Sequence, residues 1–513
     1  RRMEESALEQ ETVLLEQTPG LHKALGKFDG SAVVLGTIIG SGIFATPGSV
    51  LGNAGSVGAM TLIWIIAGFL SVLGALCYAE LGVAIPAAGG ELLYLRRAFG
   101  DAVGFVYIWT IFWVLKPGSQ AILSTVFAQY FCKAIWNQPS EWSVKGFALL
   151  CLWFTTGTNC LGVAAGMRVQ NVVTLFKVVS MVMVIIFGLV SLAKGPATHA
   201  TGLFSGVALV VEDGETETAT TTAGGLGLAL ISAMWAYDGW NGANVLTEEM
   251  IRPERDLLPG VLMGIGAATT LYVGINLAYL ACIPASAMVS SKAVAVDAAV
   301  AVIGETGRWL MPFVVAVSCL GACNSSVMTG ARYIFAASRD GVLGKYFALI
   351  GQTHPKTRAP MNALLLQATW GTILILPANF QSLIQYFSFS SWLFYSATVA
   401  CVIRLRQIEP DTPRPYKVPG YPVVPILFIV MGGFLVFSAL TETPLESLAS
   451  GSFVVLGYPV YLLQRRAERT PHDATDDEDG PEGTEMSSQN KGAATDHDLL
   501  LRVRAEPNVV SQD

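Results

Sequence analysis

Charge is the first thing this sequence lacks. Of its 513 residues, 13% are charged and 52% are apolar, whereas an ordinary soluble domain carries roughly 25% charged residues. Mean hydropathy is +0.53, which argues against a soluble domain. Histidine is scarce as well. The five (His22, His199, His354, His472, His497) all fall in polar loops or tails, leaving none for a proton relay or hydrolytic centre inside an apolar run. The eight cysteines lie in or beside apolar runs without Cys-x-x-Cys or Cys/His spacing, so zinc and redox motifs are absent. Packing as small apolar groups is their expected role. Concentrated positive charge is also missing. The net charge of −7 resolves into −2 over residues 1–30, +2 over 31–465 and −7 over 466–513, so no basic face is available for nucleic acid. Residues 1–28 lack the apolar core of a cleavable signal peptide, and none is expected.

What is present is a series of long apolar runs. A membrane-spanning helix needs about 20 predominantly apolar residues. Such runs occur at 31–53, 57–83, 102–132, 146–165, 170–194, 224–249, 260–284, 309–338, 361–378, 381–405, 424–440 and 446–463. They predict an all-α polytopic membrane protein with 12 transmembrane helices. A cytoplasmic tail would occupy 1–28, the membrane domain 29–465, and an acidic disordered cytoplasmic tail 466–513. With an inside amino terminus, fifteen Lys and Arg residues of the body face inward and five outward, which predicts both termini in the cytoplasm. The plasma membrane is the default location. Lys116 and Lys177 fall within predicted spans and take no part in that count.

Two runs are interrupted by flexible residues. The first contains Gly36-Thr37-Ile38-Ile39-Gly40-Ser41-Gly42-Ile43-Phe44, and the sixth contains Trp235-Ala236-Tyr237-Asp238-Gly239-Trp240-Asn241-Gly242. Glycine weakens a helix and permits backbone geometry that other residues resist. Non-helical backbone at membrane depth persists only where protein or a wet cavity satisfies it, and breaks at corresponding positions of two halves point to a transporter's binding site. Spans 1 and 6 correspond if spans 1–5 and 6–10 are inverted repeats. The competing reading is close helix–helix packing through Gly-x-x-x-Gly. Broken helices offer N–H groups to a carboxylate and carbonyls to an ammonium, a combination that matches an α-amino acid.

Further motifs accompany the breaks: Cys77-Tyr78-Ala79-Glu80-Leu81-Gly82, Pro86-Ala87-Ala88-Gly89-Gly90-Glu91, Thr247-Glu248-Glu249, Ala293-Val294-Ala295-Val296 and Tyr386-Phe387-Ser388-Phe389. With Gly40–Phe44 and Trp240-Asn241, they resemble the L-type amino acid transporter family of the amino acid–polyamine–organocation superfamily, over residues 27–463. That family includes light subunits of heteromeric transporters and fungal methionine permeases. The resemblance implies a LeuT-type fold, an inverted 5+5 repeat with helices 1 and 6 broken, working by alternating access. It implies that Ile39, Gly40, Ser41, Gly42 and Ile43 bind the substrate carboxylate, and that carbonyls of Trp235, Ala236 and Asp238 receive the amino group. Trp235 would gate the substrate, Asn241 would support the unwound turn, and Trp392 would flank the side-chain pocket.

A carboxylate at the bilayer midplane costs about 2.5–3.5 kcal/mol, so Asp238 needs an explanation. In the resembling family, the cationic-amino-acid and cystine exchanger branch carries aspartate in a similar stretch, which implies attraction of a cationic substrate. The alternative role is to accept hydrogen bonds from its own unwound turn. Lys177 matches a family lysine standing where sodium-coupled relatives hold a cation, which implies sodium-independent transport, with the lysine as fixed charge or proton carrier; bracing is the alternative. Glu80, Glu248 and Glu249, with Arg332 and Arg339, stand at inner helix ends and are expected to form a cytoplasmic gate, unless they are solvated pairs worth little. The outer loop Ala134–Glu141 has no cysteine, so a disulfide-linked heavy subunit, as light subunits of the family have, is not expected.

The function so implied is sodium-independent transport of L-amino acids, large neutral and also cationic, by exchange or proton-driven uptake. The alternative is a methionine or neutral amino acid permease without cationic selectivity. No enzymatic activity, cofactor or metal is expected, because the buried polar residues form no acid, base, nucleophile or ligand set.

Overall fold

Long apolar sequence leaves the backbone without water to bond, and helix satisfies it internally. The computed structural model follows that rule. It describes residues 21–468 apart from 22, 137–138, 195–204, 207, 211–215, 219–221, 292, 377–379 and 443. The predicted tails, and loop residues Glu212, Asp213 and Glu215, lie almost wholly outside the described residues. The chain divides into two units, Arg1–Gln464 and Arg465–Asp513; of the second, only the helix end 465–468 is described.

The elements in order are α1 (Lys27–Ile38), α2 (Gly42–Ala45), α3 (Pro47–Ala54), α4 (Val57–Ala84), α5 (Glu91–Phe99), α6 (Asp101–Thr110), a π turn (Ile111–Leu115), α7 (Lys116–Ile135), α8 (Glu141–Cys160) and α9 (Val163–Lys194). A short antiparallel pair, β1 (Ala208–Val210) and β2 (Thr216–Thr218), follows. Then come α10 (Ala223–Ala236), a 3₁₀ segment (Gly242–Glu249), α11 (Pro253–Cys282), α12 (Ala285–Ser290), α13 (Val294–Ile303) and α14 (Glu305–Arg339). A second 3₁₀ segment (Lys345–Gly351), α15 (Met361–Ile375), α16 (Phe380–Ile408), α17 (Val423–Glu442) and α18 (Pro444–Glu468) complete the chain.

Among the described residues, 7 helical segments are long and apolar enough to cross a membrane: Lys27–Ala45, Val57–Ala84, Asp101–Ile135, Val163–Ala193, Pro253–Cys282, Glu305–Arg339 and Val423–Thr441. The other five predicted runs are also helical, and of these α10 and α15 are shorter. The sixth run falls short because its helix stops at Ala236. Outward-facing residues such as Val172, Leu175, Val179, Val430 and Phe437 are exposed and apolar, the arrangement lipid demands rather than water. The core instead holds polar side chains in hydrogen-bonded sets, such as Gln120 with Gln367 and Asn159 with Asn324. Helix α14 runs through this core against α7, α8, α9 and α13, while α11 packs on α1, α4 and α9.

Candidate functional site

Helix α1 ends at Ile38, and helical structure resumes at Gly42. The carbonyls released by the interruption are taken up by three side chains. From α9, Lys177 Nζ donates to the Gly36 and Ile39 carbonyls, each at 2.6 Å. From α14, Ser318 Oγ donates to the Ile39 carbonyl at 3.0 Å and lies 3.2 Å from that of Gly40. From α11, the Tyr272 hydroxyl is 2.8 Å from the Ile38 carbonyl and 3.0 Å from the Ala236 carbonyl, so it joins the two interruptions. A buried carbonyl left unpaired costs about 1–3 kcal/mol, so these side chains do the work of the missing helical bonds. A Cβ on Gly42 would lie 2.7 Å from Ala236 Cα, a backbone atom that cannot swing aside. Glycine is required there by proximity.

The second interruption follows α10. Residues Tyr237–Asn241 form turns, and Gly239 takes φ +100°, a conformation strained for any side chain. The Tyr237 hydroxyl donates to the Trp64 carbonyl at 3.1 Å, anchoring the turn to α4. Asp238 accepts from the Tyr395 hydroxyl of α16 at 2.7 Å and from the Gly239 N–H. The Trp235 carbonyl receives Asp238 N–H at 3.2 Å. With Ala236 bonded to Tyr272, each carbonyl keeps a second lone pair. Asn241 Nδ2 donates to one oxygen of Glu91 and the Tyr333 hydroxyl to the other.

Between the interruptions lies a cavity of about 120 Å³. Gly40, Ser41 and Gly42 line it from the first, and Trp235, Ala236, Asp238 and Asn241 from the second. Ile39 and Ile43 are fully buried off the cavity, and Lys177 braces the first interruption from behind rather than lining it. Trp392 lines a smaller cavity of about 30 Å³ that shares Trp235, Asp238 and Ser391 with the main one. The sequence reading assigned no site role to Glu91, Lys116, Tyr333 or Tyr395, all of which line the main cavity. Lys116 had left a signal, a cation inside an apolar run followed by Pro117. Proline lacks the N–H that would continue the ladder, and the π turn Ile111–Leu115 immediately precedes it. Such turns recur at functional sites.

The charges expected to form one gate separate into two groups. Glu249 and Arg332 make a bidentate pair, at 2.8 and 3.1 Å, with both side chains 1% exposed. Glu248 pairs with Arg339 at 3.0 Å and accepts from Ala88 N–H at 2.8 Å. Glu80 belongs elsewhere: it pairs with Arg406 at 2.6 Å, lies 3.7 Å from Arg414, and accepts from Val418 N–H. Among the described residues, no group of three or more His, Cys, Asp or Glu side chains is arranged to hold a metal ion.

The sequence is similar to known proteins. Residues 25–462 match the model of the family described as amino acid permease. The chain is 37% identical over 466 residues to the b(0,+)-type amino acid transporter 1 of Mus musculus, covering 90% of this chain and 92% of that protein. It is 34% identical over 445 residues to the large neutral amino acids transporter small subunit 2 of Homo sapiens, covering 86% and 80% respectively.

Proposed function

The chain belongs to the amino acid permease family and is an integral, multi-pass membrane protein related to amino acid transporters rather than enzymes; from that premise we propose that it carries large neutral and cationic L-amino acids across the membrane, independently of sodium, by alternating access. On this reading the chain has a LeuT-type fold whose twelve helices include an inverted 5+5 repeat, the plasma membrane is its location, and both termini are cytoplasmic. The observation that carries it is the cavity shared by the two interruptions. Ser41 and the backbone about it receive the carboxylate, and the Trp235 and Ala236 carbonyls receive the ammonium. Asp238 stands where a substrate side chain would enter, which supports acceptance of a cation. The names of the two relatives, one b(0,+)-type and one for large neutral amino acids, fit that pair of substrate classes.

Sodium independence rests on Lys177, whose ammonium already occupies the space beside the first interruption and bonds its carbonyls. Glu248–Arg339 and Glu249–Arg332 form the cytoplasmic gate, without Glu80. A disulfide-linked heavy subunit is not part of the proposal, since Cys132 is fully buried and loop 134–141 has no cysteine. One observation favours the narrower reading, a neutral permease: Asp238 already accepts from Tyr395 and from its own turn.

Counterflow in proteoliposomes decides between them. Labelled leucine and arginine are both expected to accumulate against unlabelled internal amino acid, with sodium or choline outside. Leucine accumulation without arginine accumulation supports the neutral permease, and a requirement for sodium removes the role given to Lys177.

A further inference from the structure

Three charged side chains line the main cavity: Asp238, Glu91 and Lys116. Only Asp238 has been assigned a role so far. Glu91 begins α5, outside the seven long apolar segments, yet it is 1% exposed. Two groups bond its carboxyl oxygens, one each: the Asn241 amide N–H from the second interruption and the Tyr333 hydroxyl from α14. Burial raises the carboxyl's pKa above the ordinary carboxylate range, and the Tyr333 and Asn241 hydrogen bonds work against that rise by favouring the ionised form. Lys116 lies across the same tyrosine, its ammonium 5.3 Å from the Tyr333 ring centre and 3.3 Å from the Thr329 hydroxyl. Among the described residues it forms no ion pair within 4.0 Å; the carboxylates whose fields it feels are Glu91 first and Asp238 second. The π turn and Pro117 deliver this lysine to the cavity wall.

These facts define a balance of charge. With all three groups ionised, the cavity holds two anions and one cation, a net −1. If Lys116 is matched by Glu91, Asp238 remains uncompensated and free to attract a cationic side chain. If Glu91 is absent, Asp238 becomes the sole carboxylate facing Lys116, and its attraction for a substrate cation is cancelled. We propose that Glu91 is a specificity-determining residue, whose carboxylate offsets Lys116 and so leaves Asp238 to the cationic side chain of the substrate. The inference rests on the role given to Asp238 above. It differs in placing control of that role on a residue that sits on a separate element.

The test is the arginine-to-leucine uptake ratio in proteoliposomes, normalised to reconstituted protein. Glu91→Gln keeps a side chain able to bond both Asn241 and Tyr333 but removes the charge. The ratio is expected to fall roughly tenfold, equivalent to about 1.4 kcal/mol. Adding Lys116→Met to that variant restores the ratio to within about twofold of the parent. Lys116→Met alone raises it, and this arm does not depend on the Glu91 variant folding. A purely architectural role for Glu91 lowers uptake of both substrates together and gives no such opposed signs. An unchanged ratio in Glu91→Gln, or a double variant as low as the single, overturns the proposal while leaving Asp238 in place. An unchanged ratio in Asp238→Asn overturns the role of Asp238 and this proposal with it.

Discussion

The two helix interruptions face the same cavity but are held by different means. The first has no charge of its own. Its carbonyls are bonded by Lys177, Ser318 and Tyr272 from three other helices, and Gly42 fits against Ala236 with no room for a side chain. The second carries Asp238 within its own turn, bonded by Tyr395, with Lys116 and Glu91 lining the same cavity. A backbone fixed on all sides suits the part every α-amino acid shares. A charged turn whose field depends on neighbours suits the part that varies. Under the proposed function, this difference divides recognition and discrimination between the two interruptions.

That division can be broken at either end. The largest effect is expected from Gly42→Val, which forces the first interruption away from Ala236. A displacement of about 1 Å at a reacting or binding centre costs on the order of 100-fold, and initial uptake of leucine and arginine should drop by that order together. Unequal losses would place discrimination at the first interruption. Next comes Lys177→Met, which leaves the Gly36 carbonyl without its donor and the Ile39 carbonyl with Ser318 alone. One such group at about 1–3 kcal/mol predicts a lower melting temperature in detergent and uptake reduced by roughly tenfold for all substrates. Unchanged stability would mean that the carbonyls find other donors. The smallest effect is expected from Trp392→Ala, which opens the minor cavity beside Asp238 and Ser391. Competition assays should show the preference for bulky over small neutral substrates moving by about threefold or less, with the arginine-to-leucine ratio unmoved.

How much of this was visible in the sequence follows from the physics. Both interruptions were legible because glycines and an aspartate are costly inside an apolar run, and Lys177 stood out for the same reason. The long apolar helices were legible from length alone. The partners were not. Nothing in the Pro86–Gly100 stretch distinguishes a surface segment from one that turns Glu91 inward to Asn241 and Tyr333, because both partners lie more than 100 residues away. Glu80 was grouped with the α14 arginines by its place at an inner helix end, whereas its partners, Arg406 and Arg414, come from the end of α16 and the loop after it. Charge pairing is fixed by tertiary approach, and one-dimensional spacing does not encode it. Tyr272, which ties the two interruptions together, is one aromatic among many on an apolar helix.

The most direct test of the division is the arginine-to-leucine counterflow ratio of Asp238→Asn in proteoliposomes. The asparagine keeps an acceptor for the Tyr395 hydroxyl and the Gly239 N–H while removing the charge. If the second interruption discriminates, the ratio falls roughly tenfold and leucine counterflow stays within about threefold of the parent. If arginine and leucine decline in equal measure, Asp238 serves the turn alone, and the division between the two interruptions is wrong.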